Sequence, residues 1–241
     1  SEMCIRDSIT VTVNESPASI TGNLTICHGD VTTLSDTTVG GTWTCSTTVA
    51  SVDLVSGVVF GTGTGAATIS YTLANGCRRT TSVTVNPLPV AITGITNVCV
   101  GSITTLNDGT TGGTWHSSNT AIASSTLITG YVSGVAAGTA TITYTLSTGC
   151  YATKNITVNP LPVAIAGTGI LCAASSVTLA DATAGGSWIS SNTAVSVVGG
   201  TTGIVTGVSG GTAIISYRLP TGCYTTKTIT VNPLPGAIGG P

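Results

Sequence analysis

Charge is what this sequence has least of. Only 6% of its 241 residues are Asp, Glu, Lys or Arg, and the formal net charge is −2. No basic stripe is available to neutralise a phosphate backbone by counterion release, which excludes nucleic-acid binding. The chain has one Met, 32 Gly and almost none of the charge pairs that support helices; together these argue against helical structure. It contains no run of about 18 apolar residues, the length needed for a membrane-spanning helix, so membrane insertion is not expected. With two His and eight acidic residues, no Cys-x-x-Cys pair, no Asp-x-Asp-x-Asp-Gly loop and no Gly-x-Ser-x-Gly elbow is present. Neither a metal or other cofactor nor an enzymatic activity is expected.

What the sequence does have is repetition. Asn86-Pro87-Leu88-Pro89 recurs as Asn159-Pro160-Leu161-Pro162 and Asn232-Pro233-Leu234-Pro235, each copy 73 positions from the last, with a degraded copy at Asn14-Glu15-Ser16-Pro17. Each copy follows a β-branched run such as Ile156-Thr157-Val158 and precedes a short apolar segment such as Val163-Ala164-Ile165. A fixed period of this length marks a tandem array, and the Pro-rich tetrapeptide is its joint. Three repeats are expected, at 17–87, 88–160 and 161–233. Residues 9–16 read as the last strand of a preceding repeat and 234–241 as the first strand of a following one. Residues 1–8, with Cys4, match nothing else in the array and resemble a translated sequencing-adapter scar.

Apolar residues make up 41% of the chain, with many Val, Ile and Thr, a composition suited to packed strands. In the second repeat, strands are expected at 90–93, 95–99, 102–106, 114–117, 119–123, 126–133, 139–146 and 151–158. The turns between them are rich in Gly. Along 139–146, Ala140, Ile142, Tyr144 and Leu146 alternate with Thr residues, the period of a sheet with one buried face. The fold class is therefore all-β: three tandem antiparallel β-sandwiches in a rod. Trp115 and the segment to Ala123, then Val132-Ser133-Gly134 to Ile142, resemble the bacterial immunoglobulin-like domain of group 2 type. The same signature returns at 188–195 and 205–214. The first repeat departs from it at Cys45, where the others have Ser117 and Ser190, and at Phe60 to Gly65. The resemblance implies a cell-surface protein, adhesin or filament-like stalk whose motifs are structural. It supports the fold more than any activity.

Cys27, Cys99 and Cys172 share one repeat position; Cys77, Cys150 and Cys223 share another; Cys4 and Cys45 have no counterparts. Eight cysteines in such a chain point to an oxidising, extracellular or cell-surface location. Two pairings are open: Cys27–Cys77, Cys99–Cys150 and Cys172–Cys223 within repeats, or Cys27–Cys150 and Cys99–Cys223 across joints. The second leaves Cys77 and Cys172 for a neighbouring repeat or subunit. The first cysteine type precedes the second strand of the sandwich and the second type opens the last strand. These are opposite ends of a domain, about 25 Å apart, whereas a disulfide needs Cα atoms within about 7 Å. Cross-joint pairing is favoured on that ground.

Trp43, Trp115 and Trp188 recur with the repeat and are expected in the core, with Tyr71, Tyr144 and Tyr217 beside them. His28 and His116 do not recur. Asp30, Asp36, Asp53, Asp108 and Asp181 read as scattered carboxylates. Asn14, Asn23 and Asn155 fit the N-glycosylation pattern, and covalent glycans would cover an otherwise uncharged surface. The expected function is a structural stalk or fibre, assembling with itself head to tail or laterally through its end strands. An adhesin binding carbohydrate or a surface protein through its loops is the alternative, with the first repeat, which carries Cys45, Arg78-Arg79 and the altered turn at Phe60 to Gly65, as its candidate.

Overall fold

The computed structural model describes Val11 and residues 13–236. The octapeptide with Cys4, residues 9, 10 and 12 of the end strand expected at 9–16, and residues 237–241 of the one expected at 234–241 lie outside the described residues; contrary to the expectation, the described remainder of both segments is not in a strand. The described residues hold 22 strands and no helix. In the first repeat these are β1 (Thr25–Cys27), β2 (Val31–Thr33), β3 (Thr42–Cys45), β4 (Ala50–Val52), β5 (Val58–Gly61), β6 (Gly65–Thr72) and β7 (Arg78–Asn86). The second repeat has β8 (Thr93–Gly94), β9 (Asn97–Cys99), β10 (Ile103–Asn107), β11 (Thr114–Ser117), β12 (Ala123–Ser125), β13 (Tyr131–Gly134), β14 (Gly138–Thr145) and β15 (Tyr151–Asn159). The third has β16 (Ile170–Cys172), β17 (Ser176–Thr178), β18 (Ser187–Ser190), β19 (Ser196–Val198), β20 (Ile204–Gly207), β21 (Gly211–Arg218) and β22 (Tyr224–Asn232).

The same two sheets form in each repeat. One has the order β1-β7-β6-β3, then β9-β15-β14-β11, then β16-β22-β21-β18. The other joins β2-β5-β4, β8-β10-β13-β12 and β17-β20-β19. Pairing is antiparallel except for one strand per repeat: β1, β9 and β16 run parallel to β7, β15 and β22. This is an immunoglobulin-like sandwich, in which the first strand crosses from one sheet to the other.

The strands form where apolar and hydroxyl residues alternate. In β14, Ala140, Ile142 and Tyr144 are buried while the residues between them are not. Side chains from both sheets meet in the core, as Leu34, Trp43, Ala50, Val59, Ile69, Tyr71 and Val85 do in the first repeat. The third repeat packs Leu179, Trp188, Val205, Ile215, Tyr217 and Val231 in the same way. Each Trp lies against the Tyr of the neighbouring strand with ring centroids 4.7 Å apart. The Tyr hydroxyl leaves the core at its edge: Tyr71 donates to the Thr38 carbonyl at 2.7 Å and accepts from the Gly41 amide at 2.9 Å. Tyr217 does likewise with Thr183 and Gly186.

The chain divides into two compact units. The first holds the described residues up to Val90 with Thr110–Gly113 and Thr145–Ala152; the second holds Ala91–Gly109, Thr114–Tyr144 and the described residues from Thr153 onward. The turn before β15 thus belongs with the first repeat.

Strand boundaries differ from the sequence expectation where turns intrude. Of the first expected strand only Thr93 pairs, together with Gly94, against Asn107 and Leu106, while the Val90 amide is taken by the Thr110 hydroxyl. Residues 119–122 form a turn closed by the Asn119 carbonyl, which accepts from Ile122 and Ala123. The strand expected at 126–133 is broken by a turn, and β13 begins only at Tyr131. The cause is Gly130, at φ +70°, where an added Cβ would overlap the Leu106 carbonyl oxygen and lie 3.1 Å from the Trp115 ring. Gly57 and Gly203 hold the same place against Trp43 and Trp188. Gly130→Ala is expected to cost about 3 kcal/mol or more, because left-handed strain adds to a backbone clash. Gly112→Ala, at φ +86° with open space around it, should cost about 1 kcal/mol. Urea denaturation of the two variants tests the difference.

Candidate functional site: the disulfide-stapled joint

The joint tetrapeptide begins on the last residue of the last strand. Asn86, Asn159 and Asn232 end β7, β15 and β22, opposite Cys27, Cys99 and Cys172 respectively. Each Asn carbonyl accepts the amide that follows its cysteine, from His28 at 2.9 Å, Val100 at 3.0 Å and Ala173 at 2.9 Å. Parallel pairing is what carries the cysteine there, because β1 and β7 then end at the same place. Cys77 lies just before β7, at its other end. Nine residues of strand separate the two positions, about 30 Å, so a bond between Cys27 and Cys77 is sterically impossible.

Cys27 bonds to Cys150 instead, with Cα atoms 5.6 Å apart, and Cys99 bonds to Cys223 with the same separation. The first bond lies wholly in the first compact unit and the second wholly in the other. Cys150 and Cys223 sit in matching turns before β15 and β22. In each, a leucine amide (Leu146 or Leu219) donates to the cysteine carbonyl at 2.8 Å. Both cysteines in these turns are buried. The bonds span 123 and 124 residues. By the chain-entropy argument, loops of that size restrict the unfolded chain by about 5 kcal/mol each. Cys45, Cys77 and Cys172 are free thiols, Cys172 exposed and the other two half-buried. Cys77 occupies the turn position of Cys150 and Cys223, where the Leu73 amide donates to its carbonyl at 2.9 Å.

The other side of the joint is held by residues that read as scattered carboxylates in the sequence. Asp36, Asp108 and Asp181 recur with the repeat, each two residues before a threonine: Thr38, Thr110 and Thr183. Those hydroxyls accept the amide immediately after the second joint proline, from Ala18, Val90 and Val163, at 3.0 Å each. The carboxylates of Asp36 and Asp181 in turn accept their threonine's amide at 2.8 Å, and Asp36 also accepts Ala18 at 3.1 Å. Pro17, Pro89 and Pro162 are buried, whereas Pro87 and Pro160 are exposed. The second proline is therefore the covered one, and the Asp-x-Thr pair takes the first amide the chain can offer beyond it. The period of 72 and 73 positions was the signal that would have found these residues.

Residues 79–155 match the family described as bacterial Ig-like domain (group 2). The match takes in nearly all of β7 and the second repeat as far as the first residues of β15. No curated protein matches the sequence. Among solved structures, a C-terminal fragment of intimin, in complex with the intimin-binding domain of its translocated receptor, is 19% identical with a TM-score of 0.42. That match covers 64% of this chain and 67% of the fragment. Domains 1–6 of the surface layer protein SbsC are 18% identical with a TM-score of 0.28, over 94% of this chain and 41% of that one. Drosophila N-cadherin EC1-4 is 11% identical with a TM-score of 0.28, over 89% and 73%.

Within the Ig-like repeats the remaining candidates stay apart. Trp43, Trp115 and Trp188 are buried. His28 and His116 are exposed on different elements, and no group of three metal-binding side chains converges among the described residues. Asp53 closes a turn of the first repeat by accepting from Ser56 and Val55, and these bonds hold its carboxyl below its ordinary pKa. Asn14, Asn23 and Asn155 are exposed, though Asn155 also accepts the Thr141 hydroxyl at 2.9 Å. Arg78 is exposed, and Arg79 donates to Ser19 at 3.2 Å. Thr183→Val removes the acceptor of the Val163 amide, which lies at the surface, and should cost about 0.5–1 kcal/mol. Hydrogen exchange at Val163 would rise while the amides of β21 keep their protection.

Proposed function

We propose that this chain is part of an extracytoplasmic structural stalk whose Ig-like repeats are linked twice at each joint, once by the Asn-Pro-Leu-Pro backbone and once by a disulfide. The observation that carries this reading is that each disulfide ties the first-sheet edge of one repeat to the turn before the last strand of the next. A bond in that place does nothing for a binding loop and everything for holding successive repeats together. Disulfides persist in oxidising compartments, which supports a surface or extracellular location. The exposed Thr-rich faces supply hydroxyls in place of charge, and Asn14, Asn23 and Asn155 are the positions where glycans would add to them.

The free thiols extend the pattern. Cys172 stands opposite Asn232 as Cys27 stands opposite Asn86, so its partner is the turn cysteine of a further repeat. Cys77 awaits the strand-end cysteine of a preceding one. Whether that repeat belongs to the same polypeptide or to a second copy, the bond forms by the same chemistry. Two thiols lose two protons and two electrons to a disulfide oxidant, which is reduced to two thiols.

Peptide mapping of native material under non-reducing conditions tests the reading. Peptides joining Cys27 to Cys150 and Cys99 to Cys223 are expected, together with a peptide joining Cys172 to a cysteine equivalent to Cys77. A Cys27–Cys77 peptide would sink it.

A further inference from the structure

The two disulfides interleave. Along the chain the order is Cys27, Cys99, Cys150, Cys223, with Cys27 bonded to Cys150 and Cys99 to Cys223. Each bond fuses two distant points of the backbone into one junction. Between the two junctions the chain then runs three times: from Cys27 to Cys99, from Cys99 to Cys150 and from Cys150 to Cys223. The outer runs are roughly 70 residues each and the middle one roughly 50, or about 180 Å when fully extended.

We propose that this interleaving makes the joint an extension limiter, which keeps the stalk short under tension. Springs in parallel are limited by the shortest. Once the middle run is taut, the outer two still hold roughly 20 residues of slack, about 70 Å. The middle run carries β10, β11, β12, β13 and β14, so the backbone of the second repeat is the path that becomes taut first. Strands β2, β3, β4, β5, β6 and β7 of the first repeat lie on one outer run. Strands β16, β17, β18, β19, β20 and β21 of the third lie on the other. Both outer runs span the same distance when the middle run is taut, so these strands open as well, and only about 20 residues of each outer run are never drawn out. Only β1 and β22 lie beyond the junctions and feel the pull directly. The Gly-turn and Asp-x-Thr contacts of the outer repeats can therefore be weak without making the chain long.

The proposal rests on the stalk reading for its purpose, but its measurement depends only on connectivity. The full 241-residue chain is stretched by its two ends in single-molecule force spectroscopy, with free thiols blocked. Oxidised protein should reach a contour length of about 340 Å, and reduced protein about 860 Å. Cys27→Ser and Cys99→Ser, each losing one bond, should both reach about 420 Å in oxidised form. Cys172→Ser should leave the oxidised value unchanged. Contour length does not require a variant to fold, so a destabilised variant still reports. An oxidised length near the reduced one would overturn the proposal. So would a Cys172→Ser lengthening of roughly 180 Å, which within-repeat pairing requires. A short oxidised length in a protein that surface biotinylation of intact cells fails to label keeps the limiter and removes the stalk.

Discussion

The structure turns on three residues of parallel pairing. β1, β9 and β16 are too short to stabilise anything alone, yet each runs beside the last strand of its repeat and ends where that strand ends. Because the first strand advances in the same direction as the last, its cysteine ends beside the joint and away from the turn of its own repeat. The Asn carbonyl that accepts the next amide locks the register of that pairing.

Much of this was legible in the residues, because the repeat presents each structural demand three times. The Trp and Tyr of the core, the strands β11, β14 and β15, and the place of the cysteines relative to them all follow from alternation and period. The boundaries around β8, β12 and β13 did not. Between β12 and β13 the β-branched and hydroxyl residues run on through Ile128 and Thr129, and the decisive event there is a glycine. Gly130 reads as one more flexible residue in the sequence. In the fold it is the one residue type that fits between the Leu106 carbonyl and Trp115 at positive φ.

The Asp-x-Thr clamp shows a different limit. Asp36, Asp108 and Asp181 are easily dismissed when carboxylates are sought as catalytic or metal-binding groups, because they lie far apart in the chain. Their role is with a proline. A buried X-Pro segment leaves the following amide to be satisfied, and strand pairing has not yet begun there. A threonine hydroxyl, on a residue whose own backbone amide is held by an aspartate, is a local solution, and one that strand or helix propensity does not reveal.

Load sharing depends on how many staples are present. With two, the route between junctions goes backwards through the second repeat, and roughly 50 residues must straighten before it is taut. A third, at Cys172, changes the shortest route. Cys150 and Cys172 then become junctions themselves, separated by roughly 20 residues of backbone, about 75 Å at full extension. Two nine-residue strands such as β15 and β22 laid end to end already occupy about 60 Å. A fully stapled array would have almost no covalent slack to release, so unfolding a domain inside it would barely lengthen it. The joint would cease to be a limiter of extension and become a nearly inextensible cable, with the sandwiches as its spacers.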